Sequence, residues 1–226
     1  MYVEMKDIKA VLFDMDGVIF DTERLAYQGW IESGRQLGFS VTDKQINQNR
    51  GCDIRSGRIL FKGWFGEDFP FDEARQLRTD YMDRYITQHG TPVKPGVREL
   101  FDTLKKLGIK KALATSTQRE TAKRYFKSAA LPFDFDASVC GTEIKHSKPA
   151  PDVFLTAAQR LGEKPERCLV IEDSPNGVRS GIAAGCKVIM VPDMTAPDAE
   201  MKRLCFRILH DLNELNGILL HLHPPL

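Results

Sequence analysis

The pattern of apolar positions along the chain predicts an α/β fold. The apolar run KAVLF at 9–13 stops abruptly at Asp14, as expected of a buried parallel strand. From Pro95 onward, predicted helices and strands alternate, and glycines such as Gly108 and Gly162 close the helices. The predicted strands after Pro95 are 111–115, 136–140, 168–171 and 187–191, and the predicted helices are 97–107, 117–128, 153–161 and 175–184. This order predicts a doubly wound parallel sheet with helices on both faces.

Residues 22–93 interrupt that alternation, because they carry helical and aromatic patterns but no convincing strand. Thr22 is the expected N-cap of the first helix in this region, and the TPVKPG stretch at its end has the prolines and glycine of a hinge. We therefore expect two domains. The α/β core comprises residues 1–21 and 94–226, and an all-α cap comprises residues 22–93.

Charge and composition restrict the kind of partner. The chain has 32 basic and 31 acidic side chains, so it lacks the basic excess typical of proteins that bind nucleic acid or anionic lipid. No apolar stretch is long enough for a membrane span or a signal peptide, and the five cysteines form no C-x-x-C pair. We expect a cytoplasmic protein with reduced thiols that acts on a small molecule, as a monomer.

The first candidate site follows the first predicted strand. Asp14 and Asp16 in FDMDGVIFDT are two residues apart, so in extended backbone they face the same side. Two such carboxylates can divide labour, one ionised as a nucleophile or metal ligand and the other protonated as an acid. A polar turn that merely ends a strand would have the same sequence.

Three further segments follow predicted strands, at the edge where doubly wound proteins assemble their sites. Thr115 and Ser116 in LATSTQRE suit phosphate binding, although a helix N-cap explains them as well. Lys148 in KHSKPAPD is placed to neutralise anionic oxygens, unless it is an ordinary solvated lysine. Glu172 and Asp173 in LVIEDSPNGV offer hard oxygen ligands for magnesium, or cap the next helix.

Together and in this order, DMDGV, the Thr/Ser-ended strand, SKPAPD and IEDSPNGV resemble the haloacid dehalogenase superfamily, specifically its β-phosphoglucomutase-like phosphatases with a helical cap. The resemblance covers nearly the whole chain. It implies a Rossmann-like core and hydrolysis of a small phosphorylated metabolite.

The resemblance also implies roles for the motif residues. Asp14 would attack phosphorus to form an aspartyl-phosphate, and Asp16 would protonate the leaving oxygen and then activate water. Mg²⁺ would be bound by the Asp14 carboxylate, the Asp16 carbonyl and Asp173, with Glu172 beside it. Phosphate oxygens would be held by Thr115, Ser116 and Lys148.

Two alternatives stay open. Sugar-phosphate mutases of this family carry a cap histidine shortly after the Asp-Thr pair, whereas this chain has Ala26 there, which favours hydrolysis over the mutase reaction. A non-catalytic phosphate-binding module is the other alternative, although Asp14 and Asp16 are both retained. In the cap, NRGCDIRSG resembles the family's specificity loop, so Arg50 and Arg55 are candidates to contact the substrate.

Overall fold

Six strands, all parallel, form the sheet of the residues that the structure describes. The computed structural model describes residues 5–50, 52 and 54–223. The strands are β1 (Ala10–Phe13), β2 (Lys110–Ala114), β3 (Ala137–Val139), β4 (Cys168–Glu172), β5 (Lys187–Met190) and β6 (Arg207–Ile208). Their spatial order is β3-β2-β1-β4-β5-β6, so the chain leaves β1 in one direction and later returns to its other side. The predicted doubly wound parallel sheet is confirmed.

Ten α-helices are found in the described part of the chain. They are α1 (Thr22–Leu37), α2 (Asp43–Asn49), α3 (Ile54–Phe65), α4 (Phe71–His89), α5 (Val97–Leu107), α6 (Arg119–Ser128), α7 (Asp152–Leu161), α8 (Pro175–Ala183), α9 (Ala199–Leu204) and α10 (Leu212–Leu222). None of these helices is both long enough and apolar enough to cross a membrane.

The sheet is buried on both faces, which explains why its strands are continuous apolar runs. In β1, Val11 and Phe13 pack into one cluster with α5, α6 and α10, whereas Ala10 and Leu12 pack into a second cluster with α7, α8 and α9. Successive side chains of a strand point to opposite faces, so the one sheet builds both cores. Cys140, Cys168 and Cys186 are buried free thiols.

The helices α1 to α4 form an all-helical insertion with an aromatic core of its own. Trp30, Phe61 and Phe71 lie at its centre, and the Trp30 and Phe61 ring centroids are 4.4 Å apart. Leu25 of α1, together with Met82 and Ile86 of α4, instead joins the core cluster on one face of the sheet. The boundary at residues 22 and 93 stays a prediction.

The structure differs from the predicted elements in two ways. Thr22 is not an N-cap but the first residue of α1, because its hydroxyl donates to the carboxylate of Asp16. Asp21 holds the N-cap position without a side-chain hydrogen bond. The elements α9, β6 and α10 were not predicted from the sequence: β6 forms an edge of the sheet, α9 packs into the core cluster on one face and α10 into the cluster on the other.

Candidate active site

Four predicted site residues meet where the central strands end. Asp14 follows β1, Thr115 follows β2, and Glu172 and Asp173 lie at the end of β4. Because β1 pairs with both β2 and β4, these side chains gather at the carboxyl edge of three adjacent strands. This is the point where the strand order reverses, which is the usual binding crevice of doubly wound sheets.

Lys148 is buried and joins two of these acids. Its ammonium donates hydrogen bonds to Asp14, to Glu172 Oε1 at 2.6 Å and to the carbonyl of Ala114 at 3.3 Å. The side chain is only 3% exposed, which excludes a solvated surface lysine. It lies in the loop before α7 rather than at the first turn of that helix.

The charges of this cluster depend on each other. Burial lowers the pKa of Lys148, but the charges of Asp14 and Glu172 outweigh burial and raise it above its ordinary value. Burial raises the pKa of Asp14 well above its usual range, Lys148 opposes that rise, and Glu172 and Asp16 add to it. Lys148 is therefore held as an ammonium among acids that repel one another.

Asp173 completes a group of three buried carboxylates. Carboxylate oxygens of Asp14, Glu172 and Asp173 lie within 4.8 Å of one another. Burial, followed by the charges of Glu172 and Glu23, raises the pKa of Asp173 well above its usual range. The three carboxyl groups outnumber the single ammonium of Lys148, so the cluster can accept a further cation. Carboxylate oxygens are the ligands that Mg²⁺ prefers.

Gly17 allows the loop after β1 to approach this group. It has φ +84°, and a Cβ built there would lie 2.3 Å from Asp173 Oδ2. Glycine therefore meets two requirements at once, a left-handed backbone and close contact with a carboxylate.

Glu172 has partners on both carboxylate oxygens. Oε1 accepts from Lys148, and Oε2 accepts from the backbone N–H groups of Asp173 and Ser174 and from the Ser174 hydroxyl. The N-cap of α8 is Ser174, whose hydroxyl accepts from the Gly177 N–H at 3.1 Å. Glu172 thus fixes both Lys148 and the loop that carries Asp173.

Asp16 is held by two hydroxyls. Thr22 donates to one oxygen, and Thr117 donates to the other at 2.7 Å. Thr22 belongs to the helical insertion and Thr117 to the loop after β2, so this carboxylate lies where the two parts of the molecule meet. Thr117 was not among the residues predicted from the sequence, although it directly follows Thr115 and Ser116.

Thr115 and Ser116 do not cap a helix. The N-cap of α6 is Gln118, which makes no side-chain cap hydrogen bond. Thr115 is 1% exposed, and its hydroxyl accepts from the Thr117 N–H at 3.0 Å, which shapes the loop beside Asp16. Ser116 is partly buried in the same loop.

The two predicted cap arginines have different environments. Arg50 is 6% exposed, and its Nη1 donates to the Thr195 hydroxyl of the core at 2.5 Å. Its Nε lies 3.3 Å from Glu23 Oε2. Arg55, in contrast, is exposed near the start of α3. The structure brings Arg50 to the core and leaves Arg55 at the surface.

The loop after β5 carries a buried acidic residue, Asp193, that was not predicted from the sequence either. Asp193 has a side chain only 1% exposed, and its Oδ1 lies 2.8 Å from Lys94 Nζ and 3.6 Å from Arg24 Nη2. The rule that selected the residues after β1, β2 and β4 applies equally to β5, so the sequence contained the signal for Asp193.

A cavity of about 350 Å³ opens between the helical insertion and the loop after β4. Its walls come from both parts of the molecule and are mostly polar: Asn47, Gln48, Arg50, Leu60, Ser174, Pro175, Asn176, Arg179 and Thr195. The cavity has the size of a small-ligand site, and its lining includes Ser174, the residue that follows Asp173.

Comparisons with known proteins agree with the motifs. The model of the haloacid dehalogenase-like hydrolase family matches residues 8–185. Hexitol phosphatase A of Escherichia coli is 34% identical over 209 residues, which cover 92% of this chain and 93% of that protein. A phosphorylated carbohydrates phosphatase of Thermotoga maritima is 33% identical and covers 80% of this chain and 84% of its own length.

A solved structure of a related protein has the same fold. The putative β-phosphoglucomutase of Thermotoga maritima superimposes with a TM-score of 0.75 at 27% identity, and the match covers 95% of this chain and 99% of that one. These matches confirm the resemblance inferred from the motifs.

Proposed function

The chain belongs to the haloacid dehalogenase-like hydrolase family and is a phosphoester hydrolase, and on this basis we propose that it is a magnesium-dependent phosphatase of a small phosphorylated metabolite such as a sugar or polyol phosphate. The observation that carries the proposal is the buried Lys148, which links Asp14 to Glu172 beside Asp173. That arrangement combines an anionic nucleophile, a fixed cation and hard metal ligands.

The reaction has two steps. An Asp14 carboxylate oxygen attacks phosphorus, the bond from phosphorus to the ester oxygen breaks, and Asp16 gives its proton to the departing alcohol. Asp16 then takes a proton from water, and that water breaks the aspartyl-phosphate to release inorganic phosphate and restore Asp14. Lys148, Thr115 and Ser116 hold the phosphoryl oxygens in this scheme.

The proposed metal ligands are the Asp14 and Asp173 carboxylates and the Asp16 carbonyl. Mg²⁺ supplies positive charge that offsets the repulsion between an anionic nucleophile and phosphate. Glu172 is better suited to positioning, because Lys148 and three donors of the α8 loop occupy its oxygens.

The sugar-phosphate mutase is the second candidate. The resemblance to a putative β-phosphoglucomutase favours it. Against it, the position expected for the cap histidine is Ala26, which packs against the apolar core. His89, the first histidine of the chain, lies at the end of α4 with its ring stacked on Tyr85.

The proposal is tested by phosphate release from a panel of phosphorylated metabolites with and without Mg²⁺. We expect Mg²⁺-dependent release that Asp14→Asn lowers at least about 10³-fold, as nucleophile loss does in other enzymes. Asp43→Asn, at an exposed aspartate of α2, is the matched control and should keep wild-type activity. Isomer interconversion with little free phosphate would establish the mutase instead, and neither activity would favour the binding module.

A further inference from the structure

The loops that follow β2 and β3 are in direct contact beside the candidate site. Strands β2 and β3 are neighbours in the sheet, so the two loops leave the same edge side by side. The loop after β2 carries Thr115 and Ser116, and the loop after β3 carries Lys148. The Gly141 N–H donates to the Thr117 carbonyl at 3.1 Å, and a Cβ built at Gly141 would lie 2.0 Å from the Ser116 carbonyl oxygen. A shift of one loop therefore displaces the other.

An ion pair joins the same two loops. Arg119 is the first residue of α6, directly after the loop that follows β2, and Glu143 lies in the loop after β3, five residues before Lys148. Nε and Nη2 of Arg119 donate to Glu143 Oε1 at 2.9 and 2.6 Å. Burial raises the pKa of Glu143, but hydrogen bonds from Arg160 and Arg119 outweigh burial and lower that pKa below its ordinary value. Glu143 is thus held as a carboxylate between the two arginines.

Arg160 binds the same carboxylate from outside the two loops. It lies near the end of α7, and its Nη1 donates to Glu143 Oε2 at 2.6 Å. Both arginines also donate to the carbonyl of Ser138 in the edge strand β3, and their side chains are similarly exposed, 32% for Arg119 and 39% for Arg160. They differ in one respect, because only Arg119 adjoins the loop after β2.

The contact between the loops matters because both loops serve one phosphoryl group in the proposed reaction. The hydroxyls of Thr115 and Ser116 come from one loop, and the ammonium of Lys148 comes from the other. That ammonium also donates to the carbonyl of Ala114, the residue before Thr115, at 3.3 Å. Groups that bind a reacting centre have to be held within about 0.5 Å of the productive geometry by the contacts around them.

Resting on the proposed function, we propose that Arg119 and Glu143 are positioning residues that fix the spacing between the phosphate-binding hydroxyls and the ammonium of Lys148. Neither side chain touches the substrate in this assignment. Correct spacing matters most when charge develops on the phosphoryl oxygens in the transition state, so loss of the pair lowers kcat more than it raises KM. A pair that only protected the edge strand β3 would depend on Arg160 as much as on Arg119.

The test compares Arg119→Met with Arg160→Met in the full chain, with Mg²⁺ and a substrate that the wild type hydrolyses. We expect Arg119→Met to lower kcat about 10- to 100-fold, the cost of a displacement of about 1 Å at a reacting centre, while KM changes less than about threefold. Arg160→Met should keep kcat within about threefold of the wild type, because Arg119 stays on Glu143. Similar urea midpoints for the two variants would show that their difference in kcat does not come from unfolding.

Inhibition gives a second measurement that a purely structural role would not change. Orthovanadate forms a five-coordinate analogue of the transferring phosphoryl group, whereas inorganic phosphate is tetrahedral. Arg119→Met should weaken inhibition by orthovanadate about tenfold or more and inhibition by inorganic phosphate less than about threefold, because the spacing matters most for the transition state.

Glu143→Gln keeps the shape of the side chain and should show the same separation of kcat from KM. The double variant Arg119→Met with Glu143→Gln should lose no more than Arg119→Met alone, since both changes remove one interaction.

Equal losses of kcat in Arg119→Met and Arg160→Met would overturn the inference, because the arginines would then serve the edge strand. Unchanged kcat in Arg119→Met, or losses that add in the double variant, would also overturn it. A wild type that neither releases nor binds phosphate contradicts the proposed function, and the inference falls with it. That result is distinct because it is obtained before any variant is made.

Discussion

At the scale of single residues, the candidate site depends on one buried cation. Lys148 neutralises Asp14 and Glu172, and only its loop and the ends of β1 and β4 bring the three groups together. A buried charge cluster of this kind is costly to take apart, because removing one partner leaves the others desolvated without compensation.

Lys148→Met should therefore lower the free energy of unfolding by about 3 kcal/mol in the presence of a chelator, measured by urea denaturation. Added Mg²⁺ should restore part of that loss, because the ion would supply positive charge between the Asp14 and Asp173 carboxylates. The matched control is Lys145→Met, three residues earlier and exposed, which should change stability by less than about 0.5 kcal/mol. Equal stability of the two variants without Mg²⁺ would contradict the role of Lys148.

At the scale of elements, the sequence predicted where the central strands end, but it did not predict every element that follows them. The sequence correctly predicted β1, β2, β4 and β5 because buried parallel strands are apolar runs that stop at polar residues. It did not predict the two-residue β6 or the short α9, whose lengths are too small for a recognisable period. Thr22 satisfied the rule for a helix N-cap, but a tertiary hydrogen bond to Asp16 uses its hydroxyl.

The loop after β1 gives a prediction at this scale. Gly17→Ala should lower stability by more than 2 kcal/mol and reduce phosphatase activity, because it combines backbone strain with a Cβ that collides with Asp173. Gly38→Ala provides the comparison, since Gly38 has φ +76° and nothing within 4 Å of an added Cβ. It should cost only the strain, about 1 kcal/mol. Denaturation of both variants separates the two effects, and equal losses would mean that contact with Asp173 is unimportant.

At the scale of the whole molecule, the helical insertion is fastened to the core next to the site. Arg24 of α1 approaches Asp193 of the core, which also pairs with Lys94 of the core, and Arg50 of the insertion bonds to Thr195 two residues further along. Two cations of the insertion thus meet one short core loop. Cap opening would have to break the contacts of Arg24 and Arg50.

Asp193→Asn should favour the open arrangement of cap and core, because it removes the charge that attracts Arg24 of the cap. We expect a larger radius of gyration in small-angle X-ray scattering and faster proteolysis of the segment at 91–96. Asp134→Asn, which weakens a core pair with Lys111 at the surface, is the control and should change neither. An unchanged radius would show that the loop does not control closure.

The sequence by itself determined the fold class and predicted Asp14, Asp16, Lys148 and Asp173 as candidate site residues. It could do so because apolar periodicity fixes which segments are buried, and polar residues at the ends of parallel strands must share one edge of the sheet. Only the tertiary structure decided that Glu172 bonds to Lys148 and to the loop after β4, that Arg50 is buried beside Glu23 while Arg55 is exposed, that Thr117 donates to Asp16, and that Asp193 pairs with Lys94. Those outcomes depend on contacts between residues far apart in the chain, and local patterns do not encode such distances.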